Sequence, residues 1–287
     1  MAYIVFDIGG TQTRVALAEE SSVLGDLETY DTPQSYDEGV ERLAAAVGRL
    51  SDGHNVEAIA GGLPGLFDAS KQRLVRAPNL TGWIGEPIAE ALAARIGLPV
   101  FLENDAALGA LGEARQGAGK NFGIVAYIAV GTGVGGARIV SGHIDSHAAG
   151  FEPGHQIIDS EGASFGAANG RLERLIAGAG LKAQTGLEAK DIHDPRVWSR
   201  AAKQLAAGLV NAAVHWSPHV IVLGGSLICG VDGIPVVQVE EEFKRRLGDI
   251  YPELPAIKMA TLGRQAGLVG AAEYARGKLR EPRTRAM

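Results

Sequence analysis

The sequence contains a single cysteine, Cys229, in 287 residues. No intrachain disulfide can form and a cysteine-rich metal site is excluded, so a cytoplasmic location, in a reducing compartment, is expected. No apolar run approaches the roughly 20 residues of a membrane-spanning helix. The opening MAYIVFDIGG lacks the basic region and apolar stretch of a signal peptide. Positive charge is not in excess: 27 Lys and Arg stand against 33 Asp and Glu, a formal net charge of −6. No broad basic surface for nucleic acid follows from that balance, and neither nucleic acid nor membrane is expected as a partner. What is present is a globular composition, 46% hydrophobic and 21% charged. The length suffices to bury a large core and fill two domains.

Apolar periodicity places strands at about 3–8, 13–19, 23–30, 56–62 and 99–103, with helices at about 36–50, 85–97 and 105–116. Further strands fall at about 122–130, 134–141, 219–224 and 256–262, and helices near 170–178, 195–217, 236–248 and 267–279. The alternation argues for α/β layers. Two stretches resemble one another: YIVFDIGGTQTRVALA from Tyr3 and YIAVGTGVGGARIVSG from Tyr127. Each is an apolar strand, a Gly/Thr-rich turn and a second strand, which points to a duplicated domain with a cleft between the halves.

The segment GTGVGG, Gly131 to Gly136, satisfies G-x-G-x-x-G. That fingerprint needs a helix behind it to hold a pyrophosphate, whereas ARIVSG reads as a strand. No G-x-x-x-x-G-K-[ST] loop occurs. A Gly-rich hairpin can still bind phosphate, because successive backbone N–H groups can converge on an anion. The turns DIGGT (Asp7, Gly9, Gly10, Thr11) and GTG (Gly131, Thr132, Gly133) are two such candidates in equivalent positions. Asp7 is a candidate partner for Mg²⁺ through water, since that ion keeps most of its waters and needs few carboxylates. Taken singly, either turn is better read as a tight hairpin; the two in equivalent positions favour phosphate.

The stretch VFLENDAALGALGEARQG, residues 100–117, is a strand that ends in Glu103, Asn104 and Asp105 before a helix. Asn104 or Asp105 can cap that helix. A cap, however, does not require all three polar residues, and an ionised Asp at a strand end can accept a proton from an attacking hydroxyl.

These motifs together resemble the ROK family of sugar kinases, within the actin/hexokinase/Hsp70 ATPase superfamily. DIGGTQTRVAL resembles the family's first phosphate motif, and GLPGLFD with APNLTGW its sugar loop. PVFLENDAALGALGEARQGAG resembles the catalytic segment, GTGVGGARIVSG the second phosphate motif and VIVLGGSL the adenosine motif. The resemblance implies two ribonuclease-H-like α/β domains with an interdomain cleft, residues 1–118 plus a final helix at about 268–287, and 119–267. It implies ATP and Mg²⁺ as cofactors, Asp105 as catalytic base and Asn104 on the sugar. FEPGH is similar to the family's Glu-x-Gly-His, which puts Glu152 and His155 on the sugar, and GRLE adds Glu173. Gly65 would approach the sugar through its backbone, and Gly224 and Gly225 would face adenosine.

The activity so implied is phosphorylation of a hexose or N-acylhexosamine, at the 6-hydroxyl, by a homodimer. Read from the residues alone, Pro153 suits a rigid site loop or any turn, and His155 is equally a core histidine. The alternative is a non-catalytic sugar-binding regulator of the same fold. ROK repressors carry a DNA-binding domain ahead of it; this chain starts at the first motif and is expected to lack one. The chain also departs from the family in metal. The zinc-binding Cys-x-Cys…Cys run after the Gly-His is replaced by QIIDSEGASFGAANGRLE, with Arg171 at the third Cys position. No zinc site is expected, and Phe151, Pro153 and Phe165 are the candidate anchors of the loop. His143, His147 and His155 lack the spacing of a known zinc site. The helix at about 195–217, with Trp198 and Trp216, is expected to serve the core or a subunit interface.

Overall fold

In the computed structural model, residues 1–19, 24–159, 170–230 and 233–281 are described. The chain forms two compact units. One comprises Met1–Arg115, Ser146–Gly150 and Arg264–Met287, the other Gln116–Asp145 and Phe151–Gly263.

The first unit begins with β1 (Ala2–Ile8), β2 (Gln12–Ala18) and β3 (Leu24–Asp31), followed by α1 (Tyr36–Leu50) and β4 (Val56–Leu63). A small hairpin follows, β5 (Leu66–Phe67) with β6 (Leu74–Arg76), then α2 (Ile88–Ile96), β7 (Val100–Asn104) and α3 (Asp105–Gln116). The sheet order is β3-β2-β1-β4-β7, antiparallel across β3, β2 and β1 and parallel across β1, β4 and β7. β4 is buried along nearly its whole length, as expected for a strand covered on both faces. Helix α1 turns a stripe of Val40, Leu43, Val47 and Leu50 to the core, with Asp37 and Glu38 in its first turn and Arg49 in its last. Trp83 fills the space beside α1, its indole N–H donating to the Pro33 carbonyl at 3.1 Å. Helix α2 starts three residues later than its pattern suggests, at Ile88, because Pro87 disfavours helical backbone at Glu86.

The second unit opens with β8 (Ile124–Val130), β9 (Val134–Val140) and β10 (His143–Ile144). After them come α4 (Leu172–Ile176), α5 (Gly178–Thr185), α6 (Pro195–Trp216), β11 (Val220–Gly224), α7 (Ser226–Cys229), α8 (Val236–Leu247) and β12 (Ala256–Met259). Its sheet, β10-β9-β8-β11-β12, repeats the first in order and strand direction. The two similar sequence stretches are therefore the β1–β2 and β8–β9 hairpins, at corresponding positions in two α/β sheets. This is the mixed α/β architecture of two ribonuclease-H-like, actin-type domains. Asp194 caps α6 by accepting the Arg196 N–H at 2.9 Å, and Pro195 occupies the first turn. Trp198 is core: it is buried and donates its indole N–H to the Ile192 carbonyl at 3.0 Å.

The last helix, α9 (Ala266–Arg280), packs on β1 and β4 of the first unit. The excursion Ser146–Gly150 also belongs there, with His147 Nε2 lying 3.3 Å from Lys71 Nζ. Apolar periodicity gives no sign of this excursion. It places a helix near 170–178, where the structure has α4, an extended Ala177 (φ −76, ψ 161) and α5. The break has a tertiary cause: the amides of Gly178 and Ala179 donate to the Gly131 and Thr132 carbonyls, at 2.8 and 3.2 Å. These bonds join α5 to the GTG turn.

Candidate active site

At the end of β7 three polar residues have three different tasks. Asn104 is the cap of α3: its Oδ1 accepts the Ala107 N–H at 3.1 Å, while its Nδ2 donates to the Gly65 carbonyl at 3.1 Å. Gly65 has φ +127, and a Cβ there would run into the Arg76 carbonyl, so only glycine fits this approach. Asp105 opens the helix, its Oδ1 accepting the Ala106 N–H at 2.8 Å, where the helix dipole favours a carboxylate. Glu103 is 2% exposed and pairs with the Lys71 ammonium, while its Oε1 accepts the Asn104 N–H at 2.9 Å. Tyr274 of α9 stands close enough that burial and, second, the Glu103 charge raise its phenol pKa well above the ordinary value.

The β1–β2 turn is tied down through its carbonyls. Gly9 O accepts the Thr32 hydroxyl at 2.8 Å, Gly10 O the Gln34 amide at 3.3 Å and Thr11 O the Thr32 N–H at 2.9 Å. Gly9 N–H closes the turn onto Gln12 O at 2.8 Å. The amides of Gly10 and Thr11 have no partner among the described residues. The β8–β9 turn repeats this arrangement. Gly131 N–H donates to Gly133 O at 2.9 Å, and the Gly131 and Thr132 carbonyls take the amides of α5. The amides of Thr132 and Gly133 are again unspent among the described residues. Turns whose carbonyls are occupied and whose N–H groups are not are suited to anions. Both therefore fit phosphate.

Asp7, the penultimate residue of β1, lies directly opposite Arg14 of β2 and forms an ion pair with it through Oδ2; Arg14 also donates to the Arg264 carbonyl. Asp7 Oδ1 has no hydrogen-bond partner among the described residues. The carboxylate lies by the start of α9, where a Cβ on Gly267 would stand 3.6 Å from Oδ2. One carboxylate oxygen left over is compatible with Mg²⁺ held through water. Among the described residues no group of three or more His, Cys, Asp or Glu is placed to hold a metal. The Asp7–Arg14 pairing was missed from sequence, although the antiparallel register of a tight hairpin implies it.

In the second unit Gly224 and Gly225 run from β11 into α7 beside the GTG turn. Gly225 has φ +89, and a Cβ on it would strike the Val130 backbone. Glu173, at the start of α4, sits on the same hairpin: its Oε2 accepts the Val134 N–H at 2.9 Å. Glu152 precedes, and His155 closes, a 3-10 turn over Pro153–His155 that packs on β9, with His155 Nε2 3.7 Å from Glu152 Oε2. Among the described residues, the buried His155 Nδ1 has no hydrogen-bond partner. Of the expected loop anchors, Phe151 packs edge-on against Trp216 with ring centroids 5.4 Å apart, Pro153 is buried, and Phe165 lies outside the described residues. Glu152, His155 and Glu173 thus gather on one unit, and Gly65, Asn104 and Asp105 on the other.

A family model described as "ROK family" matches residues 3–278. The fold is similar to a ROK hexokinase from Thermus thermophilus, with 30% identity, a TM-score of 0.86, and coverage of 97% of this chain and 99% of that one. It is similar to a ROK family glucokinase from Streptomyces griseus in complex with glucose and AMPPNP, with 30% identity, a TM-score of 0.80, and coverage of 96% and 100%. A glucokinase from Streptomyces coelicolor is 29% identical over an alignment 309 positions long, covering 94% of this chain and 96% of its own.

Proposed function

The chain belongs to the ROK family, and from that premise we propose that it is an ATP- and Mg²⁺-dependent sugar kinase acting on a hexose or N-acylhexosamine. The reaction is transfer to the 6-hydroxyl, with Asp105 as general base. Phosphoryl transfer needs a positioned hydroxyl, charge stabilisation and a proton acceptor, and little covalent chemistry. Asn104 and the Gly65 backbone orient sugar hydroxyls beside Asp105, and Glu152, His155 and Glu173 take others. Asp105 accepts the proton of the attacking hydroxyl through a carboxylate oxygen. The unspent amides at Gly10, Thr11, Thr132 and Gly133 receive the nucleotide phosphates, and Gly224 and Gly225 face the adenosine. Asp7 would hold Mg²⁺ through water, and the ion would supply charge stabilisation at the phosphates.

The observation that supports this reading best is the matched pair of turns, each with its carbonyls occupied and its amides unspent, at the same place in two sheets of the same order. ADP release measured across glucose, mannose, N-acetylmannosamine and N-acetylglucosamine, with ATP and Mg²⁺, tests it. One sugar is expected to stand out by kcat/KM. Sugar binding without ADP release from any member of the panel would refute catalysis and leave a sugar-binding regulator.

A further inference from the structure

The Glu152–His155 turn and Glu173 are carried by separate segments, yet one residue, Gln156, ties them together through its side chain and its backbone. Gln156 donates its Nε2 to the Pro153 carbonyl at 2.8 Å, and its own backbone carbonyl accepts the Leu172 N–H at 3.0 Å. The first bond holds the turn that carries Glu152 and His155; the second holds the residue before Glu173. Below this point the chain closes on itself. Ile157 bridges Arg171, and the Gly170 carbonyl accepts the amides of Ile158 and Asp159 at 3.0 and 3.2 Å. The Gln156 amide is itself held by Asn211, in the last turns of α6, which donates Nδ2 to Gln156 Oε1 at 2.8 Å. Gly208, one turn earlier, makes the approach possible: a Cβ there would lie 3.1 Å from Gln156 Nε2 and 2.6 Å from a Leu172 methyl.

The polarity of this chain of bonds is fixed at one end. The Pro153 carbonyl can only accept, so Gln156 must turn its NH₂ toward it, which leaves Oε1 for Asn211 and requires the Asn211 NH₂ there. Rotating either amide sets acceptor against acceptor or donor against donor. Proline supplies no N–H of its own to brace the turn. Within the turn, the His155 N–H donates to the Glu152 carbonyl at 3.0 Å.

We infer that Gln156 and Asn211 are positioning residues that hold Glu152, His155 and Glu173 in register for the sugar. The inference rests on the sugar-kinase reading. Neither residue touches the sugar; they act through the Pro153 carbonyl and the Leu172 amide.

The test compares the wild type with Asn211→Leu, Asn211→Asp and Gln156→Met, using the sugar that turns over best in the panel. Leucine keeps the volume and removes the amide. Aspartate keeps the shape but presents only acceptors to Gln156 Oε1, so it should not rescue. Each variant should raise the sugar KM about tenfold, the scale of one lost buried hydrogen bond, with the ATP KM within about twofold of wild type. Hydrogen exchange in the free protein should accelerate at the His155 and Leu172 amides and remain unchanged in β1 and β4. Folded variants with wild-type sugar KM and wild-type exchange at both amides overturn the inference while the kinase reading stands. An Asn211→Asp protein that behaves as wild type overturns it equally, since a donor at this position would then be unnecessary. A wild type that turns over no sugar overturns the kinase reading and this inference with it.

Discussion

Replacing Asp105 by asparagine separates two roles that the sequence leaves superimposed at the end of β7. If Asp105 is the base, the amide removes the proton acceptor, and kcat should fall by roughly 10²–10⁴, the usual share of a general base. At about 1.36 kcal/mol per decade that is about 2.7–5.4 kcal/mol of transition-state stabilisation. The cost in stability should be far smaller. The cap of α3 is Asn104, whose Oδ1 holds the Ala107 N–H, and the substitution leaves that bond in place. The oxygen of the new amide can still accept the Ala106 N–H that Asp105 accepts at 2.8 Å. Loss of a carboxylate from the first turn of a helix contributes about 0.3–1 kcal/mol to that cost. Asn104→Ala is the counterpart: it removes the cap, about 1 kcal/mol, together with the bond to Gly65. Initial rates of ADP release at saturating sugar, set beside thermal unfolding of both variants, make the comparison. An Asp105→Asn enzyme with kcat within about fivefold of wild type would refute the assignment. So would a loss of activity that merely tracks the unfolded fraction.

Asp7→Ala should raise the Mg²⁺ concentration needed for half-maximal rate and lower kcat, with the sugar KM unchanged; a collapse of sugar affinity at constant Mg²⁺ dependence would move Asp7 out of the metal role. Glu152→Gln and His155→Ala should each weaken sugar binding in calorimetry by about 1–3 kcal/mol, the cost of leaving a buried partner unpaired, with less effect on ATP. Unchanged sugar affinity in both would remove the turn from the site. A zinc-selective chelator should alter neither the melting temperature nor the rate, and elemental analysis should find no stoichiometric zinc; one zinc per chain, lost together with sugar binding, would contradict this. Lys71→Met should destabilise the first unit by about 2–3 kcal/mol, somewhat below the usual cost of breaking a buried pair because the lysine is partly exposed. An unchanged unfolding midpoint would show that Glu103 is satisfied without it.

Most of the architecture was already decided by the order of residues. The apolar strands AYIVFDI and IVAYIAV, the helical stripe Val40, Leu43, Val47 and Leu50, and the Gly-rich turns after each first strand are local patterns, and local patterns fix local structure. The same holds for the strand-to-helix junction at Glu103, Asn104 and Asp105. Sequence could name those three residues but could not divide the work among them. The cap fell to Asn104 because Gly65, 39 positions earlier, brings its carbonyl to the other end of the same amide. Glu103 tolerates burial because Lys71 comes from a distant hairpin. Likewise the break between α4 and α5 answers to carbonyls of the GTG turn, and the Glu152–His155 turn is braced from α6 through Gln156. In each case the deciding partner is a hydrogen-bonding group remote in the chain. Apolar periodicity carries no record of which buried donor meets which acceptor, so those assignments exist only once the tertiary structure has formed.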